Sequence, residues 1–173
     1  MPQRILIIGC PGSGKSTLAR RLGEKTGLPV VHLDALYWLP GWAERSKEDF
    51  DARLQNELEK PRWIIDGNFT RTLAMRLERC DAVIWLDYGR LSCLTGVLKR
   101  VFTHLGRVRP DMGAGCPERF DAEFLRYVWS FKKNNNAKIA ERIAHAPQAA
   151  VLRVSSRREL NRRLDAFLSE KLK

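Results

Sequence analysis

No stretch of the 173-residue sequence approaches the roughly 18–20 consecutive apolar residues that cross a bilayer, so a membrane-spanning helix is excluded. The apolar segment Ile5–Ile8 is too short for the core of a signal peptide. Cysteine is scarce: Cys10, Cys80, Cys93 and Cys116 are the 4 present, and no two stand at C-x-x-C spacing. His32, His104 and His145 are equally scattered. That pattern argues against a structural metal site. With no export signal, it argues for a reduced, cytoplasmic protein. There is no internal repeat, and the one low-complexity patch, Asn134–Asn136, is expected to interrupt or end a helix.

Hydrophobic residues make up 44% and charged residues 29%, the balance of a folded globular chain. Its length suits one domain, since domains commonly run to about 100–200 residues. Residues 1–89 hold 13 basic and 12 acidic side chains, whereas residues 90–173 hold 18 basic and 8 acidic. Such an excess reads either as a solvated surface or as a face for polyanions, nucleotide phosphates or nucleic acid.

Five short runs read as buried strands: Arg4–Ile8, Pro29–Leu33, Trp63–Asp66, Ala82–Leu86 and Ala149–Val154. They are apolar without alternation, as strands are when helices cover both sheet faces. Between them, Leu94, Val97, Leu98, Val101, Phe102 and Leu105 form a helical apolar stripe. Leu160, Leu164, Phe167 and Leu168 form another, behind the capping-box pattern Ser156–Glu159. Phe50, Leu54 and Leu58 follow Ser46–Asp49, a further helix start. Strands alternating with helices predict a three-layer α/β fold with a five-stranded parallel sheet. Two intervals exceed one crossover helix. Residues 34–62 are rich in aromatics, and the basic, Gly/Pro-punctuated stretch 107–119 between two helices is a candidate lid.

Gly9-Cys-Pro-Gly-Ser-Gly14-Lys15-Ser16 satisfies G-x-x-x-x-G-K-[ST] between an apolar strand and a helix, the context of a P-loop. Gly9, Gly12, Ser13 and Gly14 let the backbone curl so that amides converge on phosphate. The helix that starts near Lys15 adds its positive dipole end. Lys15 would reach the β- and γ-phosphates of ATP, Ser16 would ligate Mg²⁺, and Thr17 completes the nucleotide-binding run. Two strands end in acids, Asp66 and Asp87, and either can serve as the Walker-B carboxylate. No Asn-Lys-x-Asp sequence, the guanine-reading signature of GTPases, is present, and the chain beyond the P-loop is too short for a motor or a two-lobed helicase.

Asp66-Gly-Asn-Phe-Thr-Arg71-Thr-Leu resembles the adenylate-kinase-type Asp-Gly-x-x-Arg-Thr segment after the third strand, and Asp81–Asp87 resembles that family's fourth strand. The resemblance implies a nucleotide-kinase-like fold with a helical lid. It implies Asp66 as a contact to Mg²⁺ through water and Arg71 as the grip on the acceptor's phosphate. The lid would place Arg100 at its base, on the nucleotide, with Arg107, Arg109, Arg119 and Arg126 beyond; Arg119 and Arg126 join Lys15 and Arg71 as the catalytic cations. The chain also resembles bacterial DNA topology modulation proteins, a branch of this nucleotide-kinase-like group. The matching stretches are His32–Trp38, Ile65–Asn68, Arg109-Pro-Asp-Met and Gly115–Asp121. Residues 34–62 lack the adenylate-kinase AMP-site sequence, which leaves the acceptor open.

Asp34, at the end of the second strand, either orients an acceptor hydroxyl or caps a turn. Tyr37, Trp38 and Trp42 read as core more than as a base-stacking platform. Asp87 reads as a strand-end cap, Cys10 as structural, and Arg153, Arg157, Arg158, Arg162 and Arg163 as a solvated helix face. The expectation is one domain over 1–173, with an acceptor-side insertion at about 34–62 and a lid at about 100–126. It would move the ATP γ-phosphate to a small acceptor, nucleotide or nucleoside, as a monomer or homodimer with no membrane partner. The alternative is an ATP-switched nucleic-acid-binding protein that affects DNA topology.

Overall fold

The computed structural model describes residues 1–169. The strands of the sheet are β1 (Arg4–Gly9) and β2 (Val30–His32), then β5 (Trp63–Asp66), β6 (Ala82–Leu86) and β7 (Ala150–Val154). They lie in the order β2-β5-β1-β6-β7, all parallel. Ile5–Ile8, Trp63–Asp66 and Ala82–Leu86 are buried throughout, so the three central strands form the core's spine. Register brings Ile7 beside Asp66 on one side and Ile84 on the other. The P-loop after β1 and Asp66 at the end of β5 thereby share one edge of the sheet. Nucleotides bind parallel sheets at that edge, where the strand order reverses.

Helix α1 (Lys15–Thr26) starts directly behind the P-loop and buries Leu18, Ala19 and Leu22. A short helix α2 (Leu33–Tyr37) follows β2, and a hairpin of β3 (Trp38–Leu39) and β4 (Ala43–Glu44) leads to α3 (Lys47–Leu58). The Oγ of Ser46 accepts the Asp49 amide at 3.2 Å, and α3 buries Phe50, Leu54 and Leu58 as their spacing predicts. A 3₁₀ turn (Thr70–Thr72) and α4 (Leu73–Arg79) link β5 to β6. Helices α5 (Arg90–His104) and α6 (Ala122–Ala144) frame the lid loop, and α7 (Arg157–Ser169) closes the chain. Ser156 caps the Glu159 amide, but Glu159 reaches back to the Ser155 amide at 2.8 Å, one residue earlier than a capping box would. Among the described residues no helix is long and apolar enough to cross a membrane.

Two sequence expectations are corrected. Asn134–Asn136 does not interrupt a helix, because α6 runs through it. The amide of Asn135 donates back to the Phe131 carbonyl at 3.1 Å, and that of Asn136 to Asp87 Oδ1 at 2.6 Å. The Asn136 amide is thus engaged outside the helix, and the Asn135 amide back-bonds to the carbonyl four residues earlier without ending it. The stripe on α5 is also rotated by about one residue. Cys93, Val97 and Val101 face inward, while Phe102 and Leu105 are 80% and 61% exposed.

The phase of α5 is set by the P-loop. A Cβ on Gly96 would overlap the Gly12 carbonyl oxygen, and a Cβ on Gly12 would overlap the Cys93 carbonyl oxygen. The two backbones touch with no room for a methyl. Alanine outranks glycine inside a helix by about 1 kcal/mol. Gly96→Ala should nonetheless destabilise the protein by about 1–3 kcal/mol, the usual cost of overpacking. Urea unfolding measures this, and a Gly96→Ala protein more stable than wild type would refute the contact.

Candidate active site

The P-loop curls through three glycines of positive φ, Gly9, Gly12 and Gly14. The Lys15 ammonium is held over the loop, donating to the carbonyls of Gly9 at 2.9 Å and Cys10 at 3.1 Å. Burial lowers its pKa, and the charges of Asp66 and Asp34 oppose that shift. The Ser16 hydroxyl donates to Asp66 Oδ2 at 2.7 Å, and the His32 Nδ1 meets Asp66 Oδ1 at 2.5 Å. Burial works against a charge on His32, but the Asp66 hydrogen bond and charge outweigh it and raise the imidazole pKa. Burial also raises the pKa of Asp34, with Lys15 partly offsetting it and Asp66 adding to it.

The lid is folded down over this floor. The Arg109 guanidinium is 9% exposed; its Nη1 lies 2.6 Å from Asp111 Oδ2 and its Nε 2.8 Å from Glu118 Oε2. Arg100 Nε adds a second cation to the same Glu118 oxygen at 3.0 Å. Burial depresses the Arg100 pKa, and the neighbouring Arg109 charge lowers it further. Burial works against the Asp111 carboxylate, yet the charge of Arg109 and the Ser16 hydroxyl hold its pKa below the usual range. Asp111 therefore sits where the lid meets the P-loop.

The lid tip is also latched to the β3–β4 hairpin. The Gly41 amide donates to the Gly115 carbonyl at 2.9 Å, and Trp42 Nε1 donates to the Pro117 carbonyl at 3.1 Å. The Cys116 thiol reaches the Leu39 carbonyl at 3.1 Å. The two long intervals thus meet above the cleft.

The cleft is about 850 Å³ and brings together Gly12, Ser13, Gly14, Lys15, Ser16, Thr17, Asp34, Asp66 and Arg100. Gly9 meets it through the carbonyl that accepts Lys15. Three expected site residues lie elsewhere. Arg71 is paired through both Nη atoms with Asp51 at 2.6 Å, and it lines a side pocket of about 190 Å³ with Tyr37, Lys47, Phe50 and Phe69. Three residues separate Gly67 from Arg71, one more than in the adenylate-kinase-type pattern. Arg119 is exposed and stacks over the Trp42 ring at 5.1 Å, and Arg126 is exposed on α6. Neither lines the cavity. The aromatics pack on one another: the rings of Tyr37, Phe50 and Phe69 lie 5.0–5.4 Å apart.

Asp87 is fully committed at the opposite side of β1. Arg153 Nη2 lies 2.6 Å from it, Lys132 2.9 Å and the Asn136 amide 2.6 Å. Residues that sequence reasoning left without a role include His32, Asn68, Asp111 and Glu118. All four stand inside the matching stretches, so their positions carried a signal while their roles did not.

Hard oxygen donors, the Ser16 hydroxyl and the Asp66 carboxylate, face the cavity floor. Among the described residues no group of three His, Cys, Asp or Glu stands ready to hold a metal ion. Such a floor suits a cation like Mg²⁺, which takes one or two protein oxygens and fills its shell with phosphate and water.

No curated protein sequence matches the chain. Among solved structures it is similar to the shikimate kinase from Acinetobacter baumannii in complex with shikimate, at 18% identity and a TM-score of 0.61, over 99% of this chain and 96% of that one. It is also similar to the shikimate kinase from Bacteroides thetaiotaomicron, at 16% identity and a TM-score of 0.52, over 98% of this chain and 100% of that one. At these identities the likeness is one of fold, a P-loop kinase fold along the whole chain. The AAA domain family matches residues 5–92, from β1 through the P-loop and Asp66 into α5. That is just over half of the sequence, and the chain belongs to the AAA domain family.

Proposed function

We propose that this protein is an ATP-dependent phosphotransferase of the nucleotide-kinase type, acting on a small acceptor, nucleotide or nucleoside. The observation that carries the reading is the meeting of Lys15, Ser16, Asp66 and Asp34 in one cavity roofed by a folded lid. A hydrolase can leave its nucleotide open to water, whereas a transferase has to exclude water from the γ-phosphate. We also place the chain with the DNA topology modulation proteins, on His32–Trp38 and the lid stretches quoted above.

In this mechanism the P-loop amides and Lys15 bind the β- and γ-phosphates, and Ser16, with Asp66 through water, would hold Mg²⁺. When bound, Mg²⁺ neutralises phosphate charge and fixes the phosphate geometry. His32 orients Asp66 through its short hydrogen bond. Asp34 accepts the proton of the attacking acceptor hydroxyl as that oxygen bonds to γ-phosphorus and ADP leaves. Its raised pKa moves it toward the neutral range in which a general base works well. Arg71 and the side pocket serve the acceptor, since Phe69 and Thr70 line both cavities. Catalysis here is positioning and charge neutralisation.

The test is ³¹P NMR of Mg·ATP with the purified protein and a panel of nucleosides, nucleotides, sugars and shikimate. The expected result is one class of acceptor that speeds ADP formation and appears as a phosphorylated product. ADP formation untouched by every small acceptor but stimulated by duplex DNA would overturn the reading.

A further inference from the structure

Helix α4 carries a buried cation that the mechanism does not use. Arg76 is 0% exposed, and among the described residues no carboxylate pairs with it. An unpaired buried charge is costly. Burial pushes this guanidinium down to a pKa of about 9. What compensates it is a fan of backbone oxygens. Nη1 donates to the Gly67 carbonyl at 2.9 Å, Nη2 to those of Asn68 and Phe69, the latter at 2.9 Å, and Nε to that of Thr72 at 3.3 Å.

The Gly67, Asn68 and Phe69 carbonyls belong to a strained turn, in which the Phe69 carbonyl also accepts the Thr72 amide at 3.0 Å and the Thr70 carbonyl accepts Arg142. Gly67 has φ 133° and lies against Leu33, and Phe69 has φ 32°, left-handed for a residue with a bulky side chain. A non-glycine in that region costs on the order of 1–3 kcal/mol and persists only where the surroundings over-determine it. The turn begins beside Asp66. Its next side chain, Asn68, accepts the Gly9 amide through Oδ1 at 3.1 Å. Gly9 is the P-loop's entry glycine, with φ 147°, and its carbonyl accepts the Lys15 ammonium.

We infer that Arg76 is a positioning residue for the P-loop: its guanidinium fixes the Gly67–Thr70 turn, and the turn holds Asn68 on the Gly9 amide. Only a planar guanidinium offers donors in the directions this fan requires, so lysine does not replace it. Asn68 is the link, because no Arg76 nitrogen donates to the P-loop itself. The inference relies on the reading above only in that the P-loop holds a nucleotide; it needs no acceptor.

The experiment measures ADP binding by calorimetry and the Gly9 amide by ¹⁵N NMR, in wild type, Arg76→Lys, Asn68→Ala and the double variant. Each single variant should weaken ADP by about tenfold, and the double variant by no more than either one, because coupled residues are not additive. Hydrogen exchange at the Gly9 amide should speed up in both single variants before any ADP is added. A lowered Tm in Arg76→Lys with ADP affinity and Gly9 exchange at wild-type values would make Arg76 a purely structural residue and overturn the inference. Additive losses in the double variant would do the same. Asn68→Ala leaves Arg76 in place, so an unchanged ADP affinity in that variant overturns it whatever Arg76→Lys does. Failure to find an acceptor, by contrast, touches only the kinase reading.

Discussion

Lys15→Ala should retain the fold and lose most of its ATP turnover, by a factor on the order of 10²–10³, the usual cost of removing one contact to developing transition-state charge. The expectation rests on position: Arg20, Arg21, Lys99 and Arg157 also line the cavity, but only Lys15 is held over the loop by the Gly9 and Cys10 carbonyls. Arg109 and Arg100 are the arginines nearest the roof, and both are spent on Glu118 and Asp111. Arg71 is held by Asp51, and Arg119 lies on Trp42 outside the cavity. The fold should survive because the Lys15 side chain hydrogen-bonds only to two carbonyls of its own loop. A buried ammonium also carries a desolvation cost that the alanine removes. A coupled assay of ADP release, run beside a thermal melt, separates the two effects. Equal turnover in mutant and wild type would remove Lys15 from the site.

The pairing of Arg109 with Asp111 and Glu118 changes what a basic lid means. An arginine in a Gly/Pro-punctuated loop beside a P-loop is expected to wait for the triphosphate. Here the same loop supplies its own anions, Asp111 two residues and Glu118 nine residues further on. Like charges that would repel in an open lid are thus neutralised in the folded one. The hairpin latch through Gly41, Trp42 and Cys116 adds to this. The folded lid is stabilised from within the chain, and a bound anion is one further contribution.

Sheet and P-loop were legible in the sequence because each rests on local chemistry. Ile5–Ile8 and Ala82–Leu86 are apolar on both faces, and only a central parallel strand uses such a run. The glycines before Lys15 have a backbone task that few other residues perform. What stayed hidden depended on distant partners. The triple asparagine of α6 resembles a helix stop until Asp87 is brought beside Asn136. Phe102 and Leu105 read as core because periodicity has no knowledge of the Gly12–Gly96 contact that turns α5. Arg76 sits between Leu73 and Leu77 as an ordinary helix-surface residue would, and nothing local marks it as buried. Arg71 lines the side pocket and not the main cavity, and the turn before it is one residue longer than in the pattern its role was carried over from.

Asp66→Asn and Asp87→Asn should fail in opposite ways. The two acids end neighbouring strands on either side of β1, so sequence alone allows either to serve the metal. Their surroundings differ. Asp66 faces the cavity, with the Ser16 hydroxyl on one oxygen and His32 on the other. Asparagine there keeps the shape and removes the charge. The Mg²⁺ concentration for half-maximal turnover should rise by about tenfold or more, as for other groups that steady a metal from its outer shell. Thermal stability should stay close to wild type. Asp87 is 9% exposed in its side chain and anchors Arg153 and Lys132, each about half exposed, at 54% and 50%. Taking its charge away leaves two cations around a neutral amide. The partners' access to water keeps the loss below that of a fully buried pair, at about 1–3 kcal/mol. The Mg²⁺ requirement of Asp87→Asn should not move. Mg²⁺ titrations and urea melts of the two variants give four numbers. If the melt shifts for Asp66→Asn and the Mg²⁺ requirement shifts for Asp87→Asn, the metal-facing carboxylate is Asp87, and the floor of the site has to be redrawn around β6.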